Sequence, residues 1–464
     1  MKVLIHSLYS SACVLLGILF TGCNDRGSNS DPDFQENPKK QYWLDEYGNI
    51  ESTEIFIDDF SPSTDCRECH ESHYEEWSRS MHAYAMKDPV FFSGWNGEQD
   101  KRPDTGERFC IQCHNPVSFV SGYVPGEYLD GDVSKDLLQN SSLPETIKEG
   151  IGCNFCHSFT ALSKTISTDD NVAAVAEYHL NPGEDILYGP IKSPAENEYH
   201  ESEYNPIFRQ SEICLPCHNF TIRGVKAEIT FSEWHNVTAG GMVNALSCQS
   251  CHMPNLDGHH NHEFVGVDID LSQDIPADSL QYKSVEKLLQ SAVELEFGGL
   301  IAEDTIKIEG GVLSIPVTIK SLTGHSLPSG TSFAREAWLE TIVKDADENT
   351  IFSSGIIEGP NSNLVLSDTN LVLYTSYLLN SDGDTTTSVT DAFDIIPQML
   401  PGLSSQVHKY KISKNFNAID QLSISVRMRF RAFKPFLLEK EHSDLLARQP
   451  VFDMARIETT YLIP

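Results

Sequence analysis

Five short segments of the chain share one spacing of cysteine and histidine, C-x-x-C-H. Two cysteines separated by two residues and followed at once by a histidine form the attachment site of a c-type haem. The thiols bond to the haem vinyl groups, and the histidine supplies the proximal nitrogen to the iron. Numbered in chain order, the five motifs carry Cys66, Cys69 and His70; Cys110, Cys113 and His114; Cys153, Cys156 and His157; Cys214, Cys217 and His218; and Cys248, Cys251 and His252. The sequence therefore predicts five covalently bound haem c groups.

Zinc knuckles and disulfide frameworks also use closely spaced cysteines. A zinc site does not require a histidine directly after every pair, and a disulfide framework needs no histidine at all. The chain contains 12 cysteines, and the motifs use all of them except Cys13 and Cys23. Those two lie in the N-terminal segment, so no thiol is left for another role. Haem attachment is the interpretation that accounts for every motif residue.

The charge of the chain limits the class of partner. It has 67 acidic and 33 basic side chains and a formal net charge of -34, to which haem propionates would add. Such a surface disfavours nucleic acid and anionic membrane surfaces. It favours basic partner proteins, or it serves solubility alone.

The N-terminus resembles a bacterial export signal, which fits haem attachment outside the cytoplasm. Lys2 supplies the positive charge and Ala12–Phe20 the short apolar core. The letters LFTGC, ending at Cys23, then resemble a lipobox in which phenylalanine replaces the usual aliphatic residue. They predict removal of residues 1–22 and lipidation of Cys23; the alternative is an ordinary secretory signal with an incidental cysteine. Asn24 favours outer-membrane sorting, so we expect a periplasmic or cell-surface lipoprotein.

The residue pattern then changes along the chain. Residues 23–60 are a polar tether followed by an acidic segment. Residues 61–265 hold the motifs among Pro- and Gly-rich loops and short helices, and one longer helix is predicted over Ser72–Met86. Porphyrin faces are expected to replace much of the aliphatic core there. Residues 266–300 are predicted to be a connector with a helix over Ser279–Leu295.

Residues 301–464 change to a period of two, which is typical of strands. A hairpin turn is predicted at Asp345–Asn349. The predicted strands are Leu313–Ile319, Ala337–Val343, Ile351–Ile357, Val407–Ile412 and Leu422–Phe430. Several short strands separated by turns indicate an all-β sandwich, with an immunoglobulin-like arrangement as one form. The chain is thus predicted to be an α+β multidomain protein, with a haem-packed, mostly helical or irregular domain followed by a β-sandwich.

The second axial ligand of each iron decides what a haem can do. Two histidines close the iron and suit it to electron transfer, whereas an open position can bind a substrate. His82 lies too far along its predicted helix to reach its own haem and would serve a neighbouring one. His259 and His260 compete with a nearby candidate, and a lone histidine in a β-sandwich is usually structural or exposed. The candidate distal ligands are His82, His200, His262 and His325.

These segments resemble the multihaem cytochromes c related to the tetrahaem cytochrome c-554 of ammonia oxidisers, and the extracellular multihaem cytochromes that form filaments. The resemblance runs from Asp65 to Glu340. It is carried by the first motif with Trp77-Ser78, Ser80 and His82-Ala83; Gly150-Ile151-Gly152-Cys153; Ser211-Glu212-Ile213-Cys214; Cys248 to Pro254 with His262-Glu263-Phe264; and Gly324-His325, Leu327-Pro328, Gly330, Arg335 and Trp338. In those relatives the histidines matching the four candidates are distal ligands. The resemblance implies that the β-domain docks on the haem region and supplies one ligand, although five motifs exceed the four of the tetrahaem relatives.

We therefore predict an electron-transfer protein of the cell envelope, a carrier more than an enzyme, which works between donor and acceptor proteins. Two alternatives remain open. One is an oxidoreductase of the nitrite or hydroxylamine type with one open haem, and the other is a subunit of an extracellular cytochrome filament. The absence of a fifth matching histidine is what favours the enzyme. The next candidates for that ligand are His73, His179 and His235, followed by the thioethers of Met81, Met86 and Met242.

Overall fold

Short helices and two-stranded ribbons make up the haem region in the computed structural model of the protein. The structure describes residues 40–44, 50–91, 94–95, 106–123, 143–161, 176–222, 224–239, 246–256, 258–439 and 442–463. The predicted signal segment, the lipidation site Cys23 and the candidate ligand Met242 lie outside these residues. No helix among the described residues is both long and apolar enough to cross a membrane.

The α-helices of the haem region are mostly one or two turns long. They span Ser63–Cys66, Glu71–Ser78, Met81–Tyr84, Gly106–His114, Pro116–Val120, Glu145–Lys148, Cys153–His157, Leu215–His218, Thr230–Ala239 and Cys248–His252. Five ribbons accompany them: Tyr42–Leu44 with Ile50–Thr53, Phe159–Ala161 with His179–Leu180, Ile186–Gly189 with Glu201–Tyr204, Phe220–Ile222 with Val225–Glu228, and Asn255–Leu256 with His259–His260. Elements this short are marginal alone, so packing must hold them in place.

The predicted helix over Ser72–Met86 is wrong in one respect, because the structure breaks it at Arg79 and Ser80. Ser80 has extended backbone (ψ 157°) and its hydroxyl accepts a hydrogen bond from the amide of Ala83, 3.2 Å away. This is an N-cap, and it starts a new helix at Met81. The rigid rod assumed for His82 is therefore absent, and the second helix sets the direction of that side chain.

The predicted helix over Ser279–Leu295 begins as expected but ends early. It spans Leu280–Gln290, and Ser279 caps it by accepting a hydrogen bond from the amide of Tyr282. The next apolar residues, Val293–Phe297, form a strand instead, because they pair with Val317–Ser321. Periodicity alone extended the helix into this strand. Val285 and Leu289 of the helix belong to the core of the β-region.

Two antiparallel sheets form the C-terminal half. In the four-stranded sheet, Val293–Phe297 and Lys307–Glu309 pair with one edge of Val312–Ser321, and Ser405–Ser413 pairs with its other edge. The seven-stranded sheet contains Glu336–Asp345, Thr350–Ser354, Leu373–Leu379, Thr385–Thr386, Asp394–Gln398, Gln421–Arg431 and Phe452–Leu462. All five predicted strands are confirmed, although the strand predicted to end at Ile357 ends at Ser354.

The two sheets share one hydrophobic core. Side chains at alternate positions of Val312–Ser321, Glu336–Asp345 and Gln421–Arg431 fill it, including Ile315, Leu339 and Val426, all fully buried. This alternation is the pattern that the sequence predicted. The hairpin turn at Asp345–Asn349 is also confirmed, since the Asp345 carboxylate accepts hydrogen bonds from the amides of Asp347 and Asn349. The immunoglobulin-like arrangement stays a prediction.

The haem region and the β-region pack on one another, since residues 38–464 form one compact unit. A second hydrophobic cluster joins Ile222, Val225 and Ala227 of the haem region to Leu378 and Ala392 of the larger sheet. A short helix, Pro435–Glu439, follows the strand Gln421–Arg431. The sheets are therefore placed to supply side chains to the haem region.

Candidate haem centres

The motif cysteines are placed for attachment to a planar group. In each motif the two thiols are one helical turn apart, because residues three positions apart lie on the same face of a helix. Cys153–His157 and Cys248–His252 are themselves complete single-turn helices. All ten motif cysteines are free thiols. Both thiols of every motif are thus available for thioether bonds.

Contacts between thiols connect the five motifs to one another. A hydrogen bond with Cys153 is the main cause that lowers the pKa of Cys66, and a bond with Cys248 raises that of Cys214. These contacts join the first motif to the third and the fourth to the fifth.

The second motif joins the fourth in the same way. A hydrogen bond with Cys113 lowers the pKa of Cys217. The Tyr178 hydroxyl, 3.2 Å from the sulfur of Cys217, donates to the carbonyl of Gln112 at 2.5 Å. The charge of Cys217 also acts on Cys156 of the third motif. Groups attached at these thiols would therefore lie side by side, with no motif isolated.

Two buried serines make the same contact in the two motif pairs. The amide of Cys153 donates to the hydroxyl of Ser63 at 3.0 Å, and the amide of Cys248 donates to the hydroxyl of Ser211 at 3.0 Å. Each serine stands three residues before the first cysteine of its own motif. The pattern S-x-x-C stands before the first and fourth motifs. This pattern, which was not used in the prediction, could have indicated the two pairings.

The segment Gly150-Ile151-Gly152 fixes the position of His82. The amide of Ile151 donates to the carbonyl of His82 at 3.1 Å, and the indole of Trp77 donates to the carbonyl of Ile151 at 2.8 Å. A Cβ at Gly150, which has φ +75°, would lie 2.6 Å from the same His82 carbonyl. Only glycine fits this close approach without strain.

A buried carboxylate lies between the first and third motifs. Glu149 accepts a hydrogen bond from the amide of Ser63 at 2.8 Å. Burial raises the pKa of Glu149 to about 7, and its charge acts on both Cys66 and Cys153. This acidic group beside the first motif pair was not predicted from the sequence.

Three candidate distal histidines face three proximal ones at nearly equal distances. The ring centres are 6.3 Å apart for His70 and His200, 6.4 Å for His82 and His218, and 6.4 Å for His252 and His325. A metal ion between two imidazoles needs about 6.2 Å between ring centres, from two metal–nitrogen bonds of about 2 Å and about 1.1 Å from each nitrogen to its ring centre. The three pairs therefore have the spacing of two axial ligands on one iron.

The ring nitrogens that point away from these positions are mostly occupied. The proximal Nδ1 atoms of His114, His157 and His252 lie 2.7–3.1 Å from the carbonyls of Ala85, Tyr188 and Val265. A bond of this kind fixes the tautomer and leaves Nε2 free for a metal. The distal candidates do the same: Nδ1 of His200, His262 and His325 lies 2.7–3.1 Å from the carbonyls of Glu201, His260 and Ser326. Both sets fit haem iron.

His82 and His262 both contact the ring of Phe264. Phe264 has a ring centre 4.5 Å from that of His82 and 5.7 Å from that of His262. Its φ of +43° is unusual for a side chain of this size, and such strain is common at functional sites. Burial lowers the pKa of His82 to about 3 and that of His262 to about 4. Both imidazoles are therefore neutral near pH 7, as metal ligands must be.

His262 lies within electrostatic range of the third motif. His157 is the first charged neighbour that lowers the pKa of His262. Glu76 holds this loop, accepting hydrogen bonds from the amide of His262 at 2.9 Å and from Nε2 of His259 at 2.8 Å. His259 is thereby occupied, and His260 is exposed with Nε2 next to Asn255. Neither of the two competitors has a free Nε2.

The second motif has no facing imidazole among the described residues. The described ring next to His114 is Phe91, stacked at 3.9 Å with an interplanar angle of 10°. His73 packs against His259 and His262 at 4.2 Å and 4.7 Å, His179 lies in a short ribbon, and His235 is exposed beside Phe231. Met86 is packed in a hydrophobic cluster, and Met81 lines a small cavity with Arg79 and Glu263.

The loop that carries His325 is held from both regions. Gly402 approaches it so closely that a Cβ there would lie 2.8 Å from the His325 carbonyl. The Glu233 carboxylate, on the helix Thr230–Ala239 of the haem region, accepts hydrogen bonds from the Ser326 amide at 3.1 Å and the Ser329 hydroxyl at 2.7 Å. Contacts from both regions therefore fix the position of the loop that carries His325.

Comparisons with known proteins find a family model and a solved structure that resemble this chain. Residues 65–158 match the family model described as cytochrome c554 and c-prime. The chain is similar to the crystal structure of a penta-heme cytochrome c552 from Thermochromatium tepidum, with a TM-score of 0.63 and 19% identity over 87% of this chain and 99% of that chain. No curated protein matches the chain in sequence.

Two further solved structures score too low to indicate a shared fold. Beta-glucosidase 3B from Thermotoga neapolitana has a TM-score of 0.11 and 11% identity over 37% of this chain and 17% of that chain. The SadP mutant of Streptococcus suis has a TM-score of 0.17 and 12% identity over 39% of this chain and 90% of that chain. The family match spans the first three motifs and the fold match most of the chain, so the chain is similar in sequence to the cytochrome c554 family over residues 65–158 and in fold to a multihaem cytochrome c over most of its length.

Proposed function

We propose that the protein is a pentahaem electron-transfer protein of the bacterial cell envelope. The observation that carries this proposal is the spacing of three imidazole pairs, 6.3–6.4 Å between ring centres. Haem iron closed by two histidines supplies reversible exchange between the ferric and ferrous states. A closed iron has no position for a substrate, so this arrangement favours transfer over chemistry.

We assign each distal histidine to one haem. His200 serves the haem of His70, His325 that of His252, and His82, from the helix after the first motif, that of His218. His262 serves the haem of His157. The side chains fix the spacing and orientation of the haems, and burial and the Nδ1 bonds adjust the ligand strength.

The first and the fifth motif are the most exposed of the five. Among the ten motif cysteines only Cys69 of the first motif and Cys251 of the fifth are exposed. His70 is exposed as well, and the adjoining helix and ribbon present the exposed carboxylates of Glu68, Glu71, Glu75, Glu198 and Glu201. We infer that a basic redox protein exchanges electrons at the first motif. Because this attraction is electrostatic, salt should weaken it.

Reductive titration tests the proposed function. Each covalent haem accepts one electron, so the protein should take up and release five electrons per chain. A variant with Cys248→Ser and Cys251→Ser should exchange four. Uptake of fewer than five electrons by protein from a host competent in haem attachment would overturn the pentahaem assignment. An unchanged count in the double variant would show that the fifth motif carries no haem.

A second candidate function is supported by the second motif. His114 has no facing imidazole among the described residues, and an open haem can bind a small molecule. An oxidoreductase acting on nitrite or hydroxylamine would use this haem for chemistry and the other four for electron supply. A carbon monoxide titration of the reduced wild-type protein separates this candidate from electron transfer alone.

Anchoring by lipid is the third part of the proposal. The letters LFTGC end at Cys23, and lipidation of its thiol would hold the protein on the periplasmic or outer face of a membrane. We expect Cys23→Ala to release the protein into the soluble fraction of fractionated cells. The matched control is Cys13→Ala, which should leave the protein membrane-bound. If Cys23→Ala fractionates like the wild type, the lipobox assignment is wrong.

A further inference from the structure

Arg335 is a half-buried arginine that forms no ion pair with a described residue. Its Nε and Nη1 atoms are buried and have no hydrogen-bond partner. A buried guanidinium with unpaired N–H groups costs several kcal/mol, so proteins nearly always supply an anion. By contrast, Arg427, Arg429 and Arg431 of the neighbouring strand Gln421–Arg431 all pair with carboxylates. The missing partner is therefore specific to Arg335.

Carboxylates surround Arg335 without forming an ion pair with it. The charges of Asp268, Glu228 and Asp88 act on its guanidinium, in that order of strength. Each carboxylate is turned to another donor: Asp88 to the amide of Val90 at 2.8 Å, Asp268 to the amide of Ile269 at 2.8 Å, and Glu228 to the amide of Thr230 at 3.1 Å. The Nε and Nη1 atoms of Arg335 are therefore left without an acceptor among the described residues.

Three observations place the Arg335 guanidinium beside the second motif. Phe333, two residues before Arg335, packs in the same cluster as Phe109 of the helix Gly106–His114. The charge of Glu228, which acts on Arg335, also acts on Cys113. Asp88 follows Ala85, whose carbonyl binds Nδ1 of His114, by three residues. The guanidinium and the second motif are thus neighbours.

We propose that Arg335 binds a propionate of the haem attached at Cys110 and Cys113. The haem is the source of carboxylate that the protein carries with it, and a planar guanidinium matches a carboxylate with two parallel N–H bonds. This inference rests on haem attachment at the second motif. It gives the β-region a second role beside that of His325, as an electrostatic clamp on a haem that no facing histidine holds.

The charge of Arg335 then adjusts the potential of that haem. A positive charge beside the propionate favours the ferrous state, because reduction adds a negative charge. We expect Arg335→Gln to lower the midpoint potential of the second-motif haem and to leave the other four unchanged. That haem is recognised in a redox titration by its high-spin signal. The matched control is Arg427→Gln, which should leave all five potentials unchanged.

Haem count and potential are read separately, so failure of the pentahaem function and failure of this inference can be told apart. Five haems with an unchanged high-spin potential would overturn the role of Arg335, and so would a shift confined to a low-spin haem. If Arg335→Gln matures with fewer haems, Arg335→Lys is compared instead. It should give a smaller fall in the same potential, since lysine offers a single contact, and no fall would again overturn the proposal.

A second redox titration tests whether Arg335 binds a dissolved anion in place of the propionate. The variant and the wild type are titrated in buffer without added anion, then with chloride and with sulfate added. A propionate predicts the same difference between the two proteins in all three media. A difference that appears only with added chloride or sulfate would assign Arg335 to a dissolved anion and overturn the proposal.

Discussion

Replacing His325 by alanine should convert one low-spin haem to high spin and open it to small ligands. His325 faces His252 at 6.4 Å, with the rings nearly parallel at 15°. Loss of this nitrogen donor removes the sixth ligand from the iron of the fifth motif and should raise its potential. The low-spin count should fall by one haem per chain, and carbon monoxide uptake should rise by one. Paramagnetic resonance and a carbon monoxide titration measure both.

The matched control is His408→Ala, another histidine of the β-region, whose ring packs on Tyr410. It should leave spin states and ligand uptake unchanged. His325→Ala should also loosen the contact between the two regions, because the iron–nitrogen bond joins them. If its low-spin count equals that of the wild type, His325 is not a ligand. The β-region would then act through the Glu233 contact and the hydrophobic cluster alone.

The wild-type protein should already bind carbon monoxide at one haem, that of the second motif. Phe91 stacks on His114, and no described histidine faces it. We expect His114→Ala to abolish the wild-type high-spin signal of an imidazole-bound haem, while the low-spin signals stay unchanged. The measurement is a spectral titration of the reduced protein with carbon monoxide, before and after the substitution.

His235→Ala and Met86→Ala are the controls for this prediction. If either residue were the missing ligand, its removal would raise carbon monoxide uptake by one haem per chain. A wild-type protein that takes up no carbon monoxide would contradict the open site and, with it, the oxidoreductase candidate. Uptake of one equivalent without turnover of nitrite or hydroxylamine would leave electron transfer as the function.

The haem-attachment motifs could be predicted from the sequence, whereas the pairing of each distal histidine with a proximal one could not. The C-x-x-C-H motifs depend on residues within one helical turn, so their spacing is visible in the letters. The pairing of His82 with His218 depends on how the chain returns after many loops, and no periodicity records it. The residue pattern singled out the four distal candidates and the resemblance supported them, but neither stated which motif each would face.

Errors in the predicted elements have similar physical causes. Helical spacing continued past Ser80, but an N-cap hydroxyl and a following turn outweighed it. Val293–Phe297 continues the apolar spacing of the preceding helix. It forms a strand instead, because it pairs with the edge of the strand Val312–Ser321. The unpaired state of Arg335 arises only in three dimensions, because its three acidic neighbours come from distant segments. These features depend on tertiary contacts that override local preference.

The count of histidine–histidine haems tests the ligand assignment most directly. Near-infrared magnetic circular dichroism of the oxidised protein separates histidine–histidine from histidine–methionine coordination and from high-spin haem. The three spaced pairs, with His262 serving His157, predict four histidine–histidine haems and one high-spin haem per chain. A spectrum with histidine–methionine coordination, or with fewer than three histidine–histidine haems, would contradict the assignment.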